Sequence, residues 1–364
     1  MSKTRVLLLF GGQSAEHEVS VISARSVYDA IDTEQYEVVL VGIADSGQWF
    51  VDGGDGQLLK GGRVDGEAFE PVRLNTDSHA LVSLCGDPIE QGEFDVVFPL
   101  LHGPRGEDGA MQGLLELAGV AYVGAGVAAS AVGMDKELAR SVFASAGLKQ
   151  VSYTVTRRSA WQADRSAVIN RIEQAFAYPL FVKPANLGSS IGVSKAHDRE
   201  GLAGALDIAA AYDLKIMVEA SVEGARELEC AVLGNDEPKA SVIGEIIPGA
   251  EFYDYTTKYL DDHSQLIVPA KLPSEVAIRV REMSIRSFRS IDGAGLGRVD
   301  FLFSPSGEIF LNEINTMPGF TPISMYPRLW QESGITYPKL IGELIRLALE
   351  RHQERQSIST SRSA

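Results

Sequence analysis

Cysteine is nearly missing from this chain of 364 residues, which carries only Cys85 and Cys230. They stand far apart and in no C-x-x-C pattern, so neither a disulfide framework nor a zinc site follows, and a reducing compartment suits the chain. Long apolar runs are missing too. Behind Lys3 and Arg5 the stretch Val6–Phe10 is only five residues and meets Gly11-Gly12, which makes it a first buried strand and not a leader. No run approaches the length of a membrane span. Positive charge is scarce: 33 Lys and Arg against 49 Asp and Glu leave a formal charge of −16. That balance argues against general affinity for nucleic acid or anionic membranes, and any phosphate-bearing ligand must be held by local cations or a metal. The expectation is a cytoplasmic protein with no nucleic-acid and no membrane partner.

What is present describes an α/β enzyme: 45% hydrophobic residues, 23% charged residues and 36 glycines, in a chain long enough for two or three domains. Val6–Phe10, the turn GGQSAEHEVS and a helical pattern through Val19, Ile22, Val27 and Ala30 form a strand, a glycine turn and a helix. Val38–Ile43 and Asp95–Leu100 are further strands, and the alternation points to a parallel sheet covered by helices. Ligands of such sheets bind beyond the carboxyl ends of the strands, where Gly11–Glu18 and His102–Asp108 fall. GGQSAE is not G-x-G-x-x-G, and Glu16 is an anion where a phosphate-binding helix start wants none. Glu16 suits a substrate ammonium; its plain alternative is a first-turn carboxylate complementing the helix dipole. His102 reads either as a satisfied loop histidine or as part of a substrate site. Residues 53–92 read as surface loops or short strands.

A second unit begins near Asp135-Lys136, with helices over Lys136–Ala146 and Asp164–Ala175 and a strand over Pro179–Lys183. Lys183 followed by Asn186-Leu187-Gly188-Ser189-Ser190 has the parts of a phosphate cradle: mobile backbone N–H groups, hydroxyls and a lysine. It lacks the P-loop order, and a plain hairpin loop remains the alternative. Lys215–Glu219 and Arg226–Leu233 are strands, the latter with Glu227 and Glu229 on one face. The aromatic and charged stretch EFYDYTTKYLDD, residues 251–262, suits a loop that folds over a ligand. Helices follow over Val276–Ile291 and Tyr337–Arg351.

Between those helices lies GRVDFLFSPSGEIFLNEINTMPG, from Gly297 to Gly319, a hairpin turned by Ser304-Pro305-Ser306-Gly307. A four-residue loop would pair Phe303 with Glu308, Asp300 with Leu311 and Arg298 with Glu313. Arg298, Asp300, Glu313 and Asn315 then share one face, and Val299, Phe301, Phe303 and Phe310 take the other. The carboxylates and the amide oxygen are hard ligands suited to Mg²⁺, with Arg298 placed to neutralise developing charge. A solvated polar face is the alternative.

GGQSAEHEVS, LHGPRGEDG, GMDK, FVKPANLGSSIGVSK, EFYDYTTKY, GRVDF and NEINTMPGFTPISMYP occur in this order over nearly the whole chain. Together they closely resemble the D-alanine–D-alanine ligases of the ATP-grasp superfamily. The resemblance implies an ATP-grasp fold of mixed α/β and α+β class. Its parts would be an N-terminal parallel-sheet domain over residues 1–132, a central domain over 133–222 and a C-terminal domain over 223–364. It also implies ATP-dependent synthesis of D-alanyl-D-alanine for peptidoglycan, with a pair of Mg²⁺ ions (Mn²⁺ as a substitute) and a homodimer. Position by position, Asp300, Glu313 and Asn315 match the metal ligands, Lys136 and Lys183 the ATP-phosphate lysines, Glu219 the adenine contact and Glu227 the ribose contact. Ser189 lies on the loop that covers the active site, and Lys258 matches a phosphate contact of the closing loop. Glu16 matches the carboxylate that receives the first D-alanine's ammonium, with His102 beside that substrate. Arg298 and the Gly319 backbone N–H match the oxyanion stabilisers, and Ser324 the hydroxyl that holds the second substrate's carboxylate. Tyr259, following Lys258, goes with D-alanine and not D-lactate as second substrate.

Overall fold

The apolar run that opens the chain becomes β1 (Thr4–Gly11), with Val6 to Phe10 buried throughout. A strand covered on both faces needs no polar alternation, which is why it reads as a continuous apolar stretch. In this computed structural model, which describes residues 3–247 and 265–359, β1 is central to a seven-stranded sheet. After α1 (His17–Ala30) come β2 (Tyr36–Ile43), β3 (Trp49–Val51), β4 (Glu70–Asn75), β5 (Ala80–Ser83) and β6 (Val96–Pro99). The sheet ends with β7 (Ala121–Tyr122), which follows α2 (Ala110–Leu117), and its order is β5-β4-β3-β2-β1-β6-β7. Strands β2, β1, β6 and β7 run parallel, and β3, β4 and β5 extend the sheet in antiparallel fashion. Residues 53–92 thus supply two short strands, β4 and the edge strand β5. Alternate residues of β1 serve different cores: Leu7 and Leu9 pack with Met111 and Leu115 of α2, while Val6, Leu8 and Phe10 pack with Val21, Ala24 and Val27 of α1.

Helices α3 (Val127–Met134) and α4 (Lys136–Ser145) lead into a second sheet. Asp135 caps α4 by accepting from the N–H groups of Glu137 and Leu138. The sheet has four strands: β8 (Tyr153–Arg157), β9 (Leu180–Pro184), β10 (Ser194–Ala196) and β11 (Lys215–Ala220), in the order β10-β9-β11-β8. Helices α5 (Arg158–Ala163), α6 (Arg165–Ala175) and α7 (Arg199–Tyr212) flank it. Leu180 and Val182 of β9 and Ile216 and Val218 of β11 pack with Ile172 and Leu206 of those helices. The period of two then sends Phe181, Lys183 and Glu219 to the opposite face.

The third sheet, β14-β13-β12-β15-β16, is built the same way. Its strands are β12 (Arg226–Gly234), β13 (Lys239–Ile247), β14 (Gln265–Ile267), β15 (Gly295–Phe303) and β16 (Ile309–Asn315), with α8 (Ser274–Ser290) between β14 and β15. Leu228, Cys230, Val299, Phe301 and Ile314 pack against Val276, Val280 and Phe288 of α8 and Phe143 of α4.

The hairpin register differs from the sequence expectation. Phe303 pairs with Ile309, not Glu308, so the loop holds one more residue. Uninterrupted alternation from there would turn Glu313 and Asn315 towards the helices. A bulge at Asn312 resets the alternation: Phe301 faces Leu311, then Asp300 faces Glu313 and Arg298 faces Asn315. The polar set keeps its common face, but Leu311 takes the core position expected of Phe310. Phe310 instead lies under the Lys149 ammonium, 5.1 Å from its ring centre.

The chain closes with α9 (Met325–Glu332) and α10 (Tyr337–Gln356), the latter running past Arg351 where the sequence pattern fades. Leu340, Leu344 and Ile345 of α10 join Val6, Leu8, Phe10 and Phe98 in one core, so the end of the chain covers a face of the first sheet. Arg351 fastens it: its guanidinium donates to the carbonyls of Gly124 at 2.5 Å and Tyr122 at 3.2 Å and lies 4.6 Å from the Tyr122 ring centre.

Candidate active site

The polar faces of the second and third sheets line a cleft of about 430 Å³ that collects Lys136, Lys183, Ser189, Glu219, Glu227, Asp300 and Glu313. From the second sheet, the Lys183 ammonium meets Glu219 Oε1 at 2.5 Å. Arg140, four residues beyond Lys136 on the same face of α4, reaches Glu219 Oε2 at 2.5 Å and the Val151 carbonyl at 3.1 Å. Burial alone would raise the Glu219 carboxyl, but Lys183 and Arg140 together hold it below its ordinary value. Burial also pushes the Lys183 ammonium down, against the pull of Glu219. One carboxylate shared by two buried cations leaves net positive charge here, which a phosphate chain would meet. Lys136 adds a third cation; its ammonium donates to the Leu187 carbonyl at 2.7 Å and lies 3.5 Å from Glu313 Oε2.

The third sheet answers with three carboxylates abreast, since Glu229 of β12 pairs with Asp300 of β15 and Asp300 with Glu313 of β16. Such a row is repulsive unless cations sit in it. Arg298 is one of them: Nε and a terminal nitrogen hold Asp300 at 2.8 and 2.7 Å, and Nε lies 3.0 Å from Glu229 Oε2. Burial works against its charge, but Asp300 and Glu229 raise the guanidinium well above its already high range. Among the described residues no three His, Cys, Asp or Glu side chains are grouped so as to hold a metal. Asn315 Oδ1 accepts from the Met317 N–H at 3.0 Å, which fixes the turn out of β16.

Loops of the first sheet meet the rim of the cleft through Ser189. Gly11, with φ of +88°, lies so close to the Ile43 carbonyl that a Cβ would fall 2.3 Å from it. Ser20 Oγ accepts from the Gly11 N–H at 2.7 Å and donates to the Leu100 carbonyl at 2.5 Å, bracing the two loops. Glu16 is buried at the start of α1, and Ser189 Oγ donates to its Oε1 from the glycine-rich loop between β9 and β10. Ser189 and Ser190 hold φ of +49° and +56°, a backbone that side chains rarely take, so the loop is bent to make this contact. His102 Nδ1 lies 3.1 Å from the Met317 carbonyl and Nε2 3.1 Å from Ser23 Oγ. A carbonyl can only accept, which assigns the proton to Nδ1 and leaves Nε2 as acceptor. Burial holds this imidazole below its usual range despite Glu16 nearby. Beyond Met317, a Cβ on Gly319 would fall 3.2 Å from Ser324 Oγ, which accepts from the Thr321 N–H at 3.1 Å at the head of α9.

Of the expected site residues, Lys136, Lys183, Ser189, Glu219, Glu227, Asp300 and Glu313 line this cleft. Arg298 pairs with Asp300, Glu16 meets Ser189, His102 meets the Met317 carbonyl, and Asn315, Gly319 and Ser324 lie between the end of β16 and the head of α9. Lys258 and Tyr259 lie outside the described residues. Sequence reading gave no role to Arg140, Glu229 or Glu107. The first two had a signal in their spacing, four residues from Lys136 and two from Glu227. Glu107 stands inside the LHGPRGEDG motif, where the loop's shape decides which side chains turn inward.

Comparison with known proteins gives consistent neighbours. Residues 5–125 match the family described as D-ala D-ala ligase N-terminus, and residues 142–346 the family described as D-ala D-ala ligase C-terminus. The D-alanine–D-alanine ligase of Bacillus cytotoxicus is 48% identical over 98% of this chain and 99% of its own length. That of Ruminiclostridium cellulolyticum is 49% identical over 97% of both. Among solved structures, the D-alanine-D-alanine ligase of Coxiella burnetii superposes with a TM-score of 0.81 at 34% identity, over 97% of each chain. The VanG D-Ala:D-Ser ligase of Enterococcus faecalis gives 0.85 at 34% identity, over 95% of this chain and 100% of that one.

Proposed function

This chain belongs to the D-alanine–D-alanine ligase family, and on that premise we propose that it joins two D-alanines with ATP as co-substrate, making the dipeptide used in peptidoglycan. The observation that carries the reading is the single cleft between two polar sheet faces, cationic on one side and carboxylate-lined on the other. Its lining residue Ser189 reaches Glu16, whose Oε2 is buried without a hydrogen-bond partner among the described residues.

ATP fills the cleft, its phosphates between Lys136 and Lys183, its adenine at Glu219 and its ribose at Glu227. Asp300, Glu313 and Asn315 fit Mg²⁺, being hard oxygen donors on one face in a row that already demands cations. Bound there as a pair, Mg²⁺ or Mn²⁺ ions would spread the charge of the transferring phosphate. Glu16 receives the ammonium of the first D-alanine beside His102, and the carboxylate oxygen of that D-alanine attacks the γ-phosphorus as ADP leaves. The neutral amine of the second D-alanine then attacks the acyl phosphate. Arg298 and the Gly319 N–H hold the tetrahedral oxyanion until phosphate departs, and Ser324 holds the second substrate's carboxylate. Ser189, with Lys258 and Tyr259, closes the site against water, so that the acyl phosphate meets an amine. The expected form is a cytoplasmic homodimer.

The test is phosphate release from ATP and Mg²⁺ with D-alanine, with L-alanine, and with D-alanine plus D-lactate or D-serine, the products identified by mass. D-alanine-dependent release yielding D-Ala-D-Ala is expected. A mixed product with D-serine in preference would move the chain towards the second-substrate choice in the VanG ligase's name, one with D-lactate would remove the Tyr259 reading, and no D-alanine dependence would remove the Glu16 and Ser324 roles.

A further inference from the structure

Glu107 has no part in the mechanism above, yet it is one of the most deeply placed carboxyls near the amino-acid end of the cleft, 7% exposed against 4% for Glu16. The two flank one residue. Gly103 donates its N–H to Glu107 Oε1 at 3.0 Å, and a Cβ on Gly103 would fall 2.4 Å from Glu16 Oε2. Only glycine fits there, at φ of +75°. Among the described residues, Glu16 Oε2 and Glu107 Oε2 are both buried without a hydrogen-bond partner. A buried carboxyl oxygen with nothing to bond is costly, and two of them around one glycine define a place for a donor or a cation.

We propose that Glu107 is the second carboxyl of the ammonium pocket: together with Glu16 it takes the ammonium of the first D-alanine, and it thereby sets the preference for an amino acid over a hydroxy acid at that position. The inference rests on the reading of Glu16 as the ammonium carboxylate. A hydroxyl could satisfy one carboxyl by donating to it, whereas an ammonium carries enough donors and charge for two. A site built for both would leave one unpaired against a hydroxy acid, which is the asymmetry that makes polar sites selective.

The charges around Glu107 fit a group that changes state when the pocket fills. Burial, and after it Glu16 at the start of α1, holds the Glu107 carboxyl well above its usual range, while Lys136 of α4 and Arg298 of β15 pull more weakly downward. His102, on the same loop, is held neutral by burial. In the free protein Glu107 therefore holds a proton more readily than an ordinary carboxyl does. An arriving ammonium pulls the other way: where Glu107 carries its proton, Glu107–CO₂H and R–NH₃⁺ become Glu107–CO₂⁻ paired with ⁺H₃N–R, and that proton leaves to solvent.

The experiment uses the full chain loaded with Mg²⁺ and a non-hydrolysable ATP analogue, titrated calorimetrically with D-alanine in buffers of different ionisation enthalpy. Wild type is expected to release more protons on binding the first equivalent than Glu107→Gln, which keeps an acceptor for the Gly103 N–H, with the difference largest where the Glu107 carboxyl titrates. Glu107→Gln should bind D-alanine roughly ten- to a hundredfold more weakly, with affinity for the ATP analogue within about twofold of wild type. Its share of product carrying D-lactate at the first position, read by mass, should rise. Equal proton release from wild type and Glu107→Gln at every pH at which both stay folded overturns the proposal, as does a folded Glu107→Gln protein with unchanged D-alanine affinity. Glu16→Gln separates the two readings: if it weakens D-alanine binding and Glu107→Gln does not, only the role of Glu107 falls. If neither weakens it, the ammonium pocket itself falls.

Discussion

A guanidinium held by Asp300 on one side and Glu229 on the other is ordered before any substrate arrives, so it can meet developing negative charge with little loss of side-chain freedom. Arg298→Ala should lower kcat by about a hundredfold or more while affinity for the nucleotide changes far less. Steady-state kinetics beside equilibrium nucleotide binding separate the two. The same change strips two carboxylates of their cation, and stability should drop by roughly 3–5 kcal/mol, visible in urea unfolding. At Lys183 the sign of the pH effect follows from burial. Its ammonium loses its proton below the usual 10.5, so kcat/KM for ATP should decline on the alkaline side before that pH is reached. A profile flat up to 10.5 would remove Lys183 from phosphate binding. Glu219 acts on the other side. Its folded value lies below 4.5, so its contribution to stability is complete above 4.5 and is lost only as pH falls through the lower folded value. Such couplings were invisible in the sequence, because Arg140 and Glu219 are 79 positions apart and meet only once α4 lies beside β11.

Strand, turn and helix were legible where a local rule decides them. Val6–Phe10, Lys215–Glu219 and the helix before the hairpin follow from period and punctuation, and the structure has them within a few residues. The hairpin shows where local rules stop. Its polar face was right and its register was not, because the bulge at Asn312 depends on the pairing of both strands and leaves no mark in the composition of either. The β1–α1 turn offers a test at this scale. Gly11→Ala puts a Cβ against the Ile43 carbonyl in a left-handed backbone, which should cost at least ~2 kcal/mol. Thermal unfolding should show a lower Tm, with the loss carried into D-alanine binding because Glu16 hangs from the same turn. An unchanged Tm would mean that the two loops can separate freely.

Periodicity told that the last helix buries a face but not what it buries that face against. The answer, the first sheet, is the largest feature that sequence reading could not supply. The first sheet and the closing helices share one core, whereas Leu180, Val182, Ile216 and Val218 of the second sheet belong to a separate one with α6 and α7. Native-state hydrogen exchange should therefore give the amides of β1, β6 and α10 a common opening free energy, and those of β9 and β11 a different one. A single value across all of them would mean the cores are coupled through the cleft. The shared core also has a consequence for how the protein is born. A ribosome delivers Val6, Leu8, Phe10 and Phe98 long before the residues that cover them, Leu340, Leu344 and Ile345. Between the two the nascent chain carries a half-dressed sheet, sticky on one side, until α10 emerges and comes down on it.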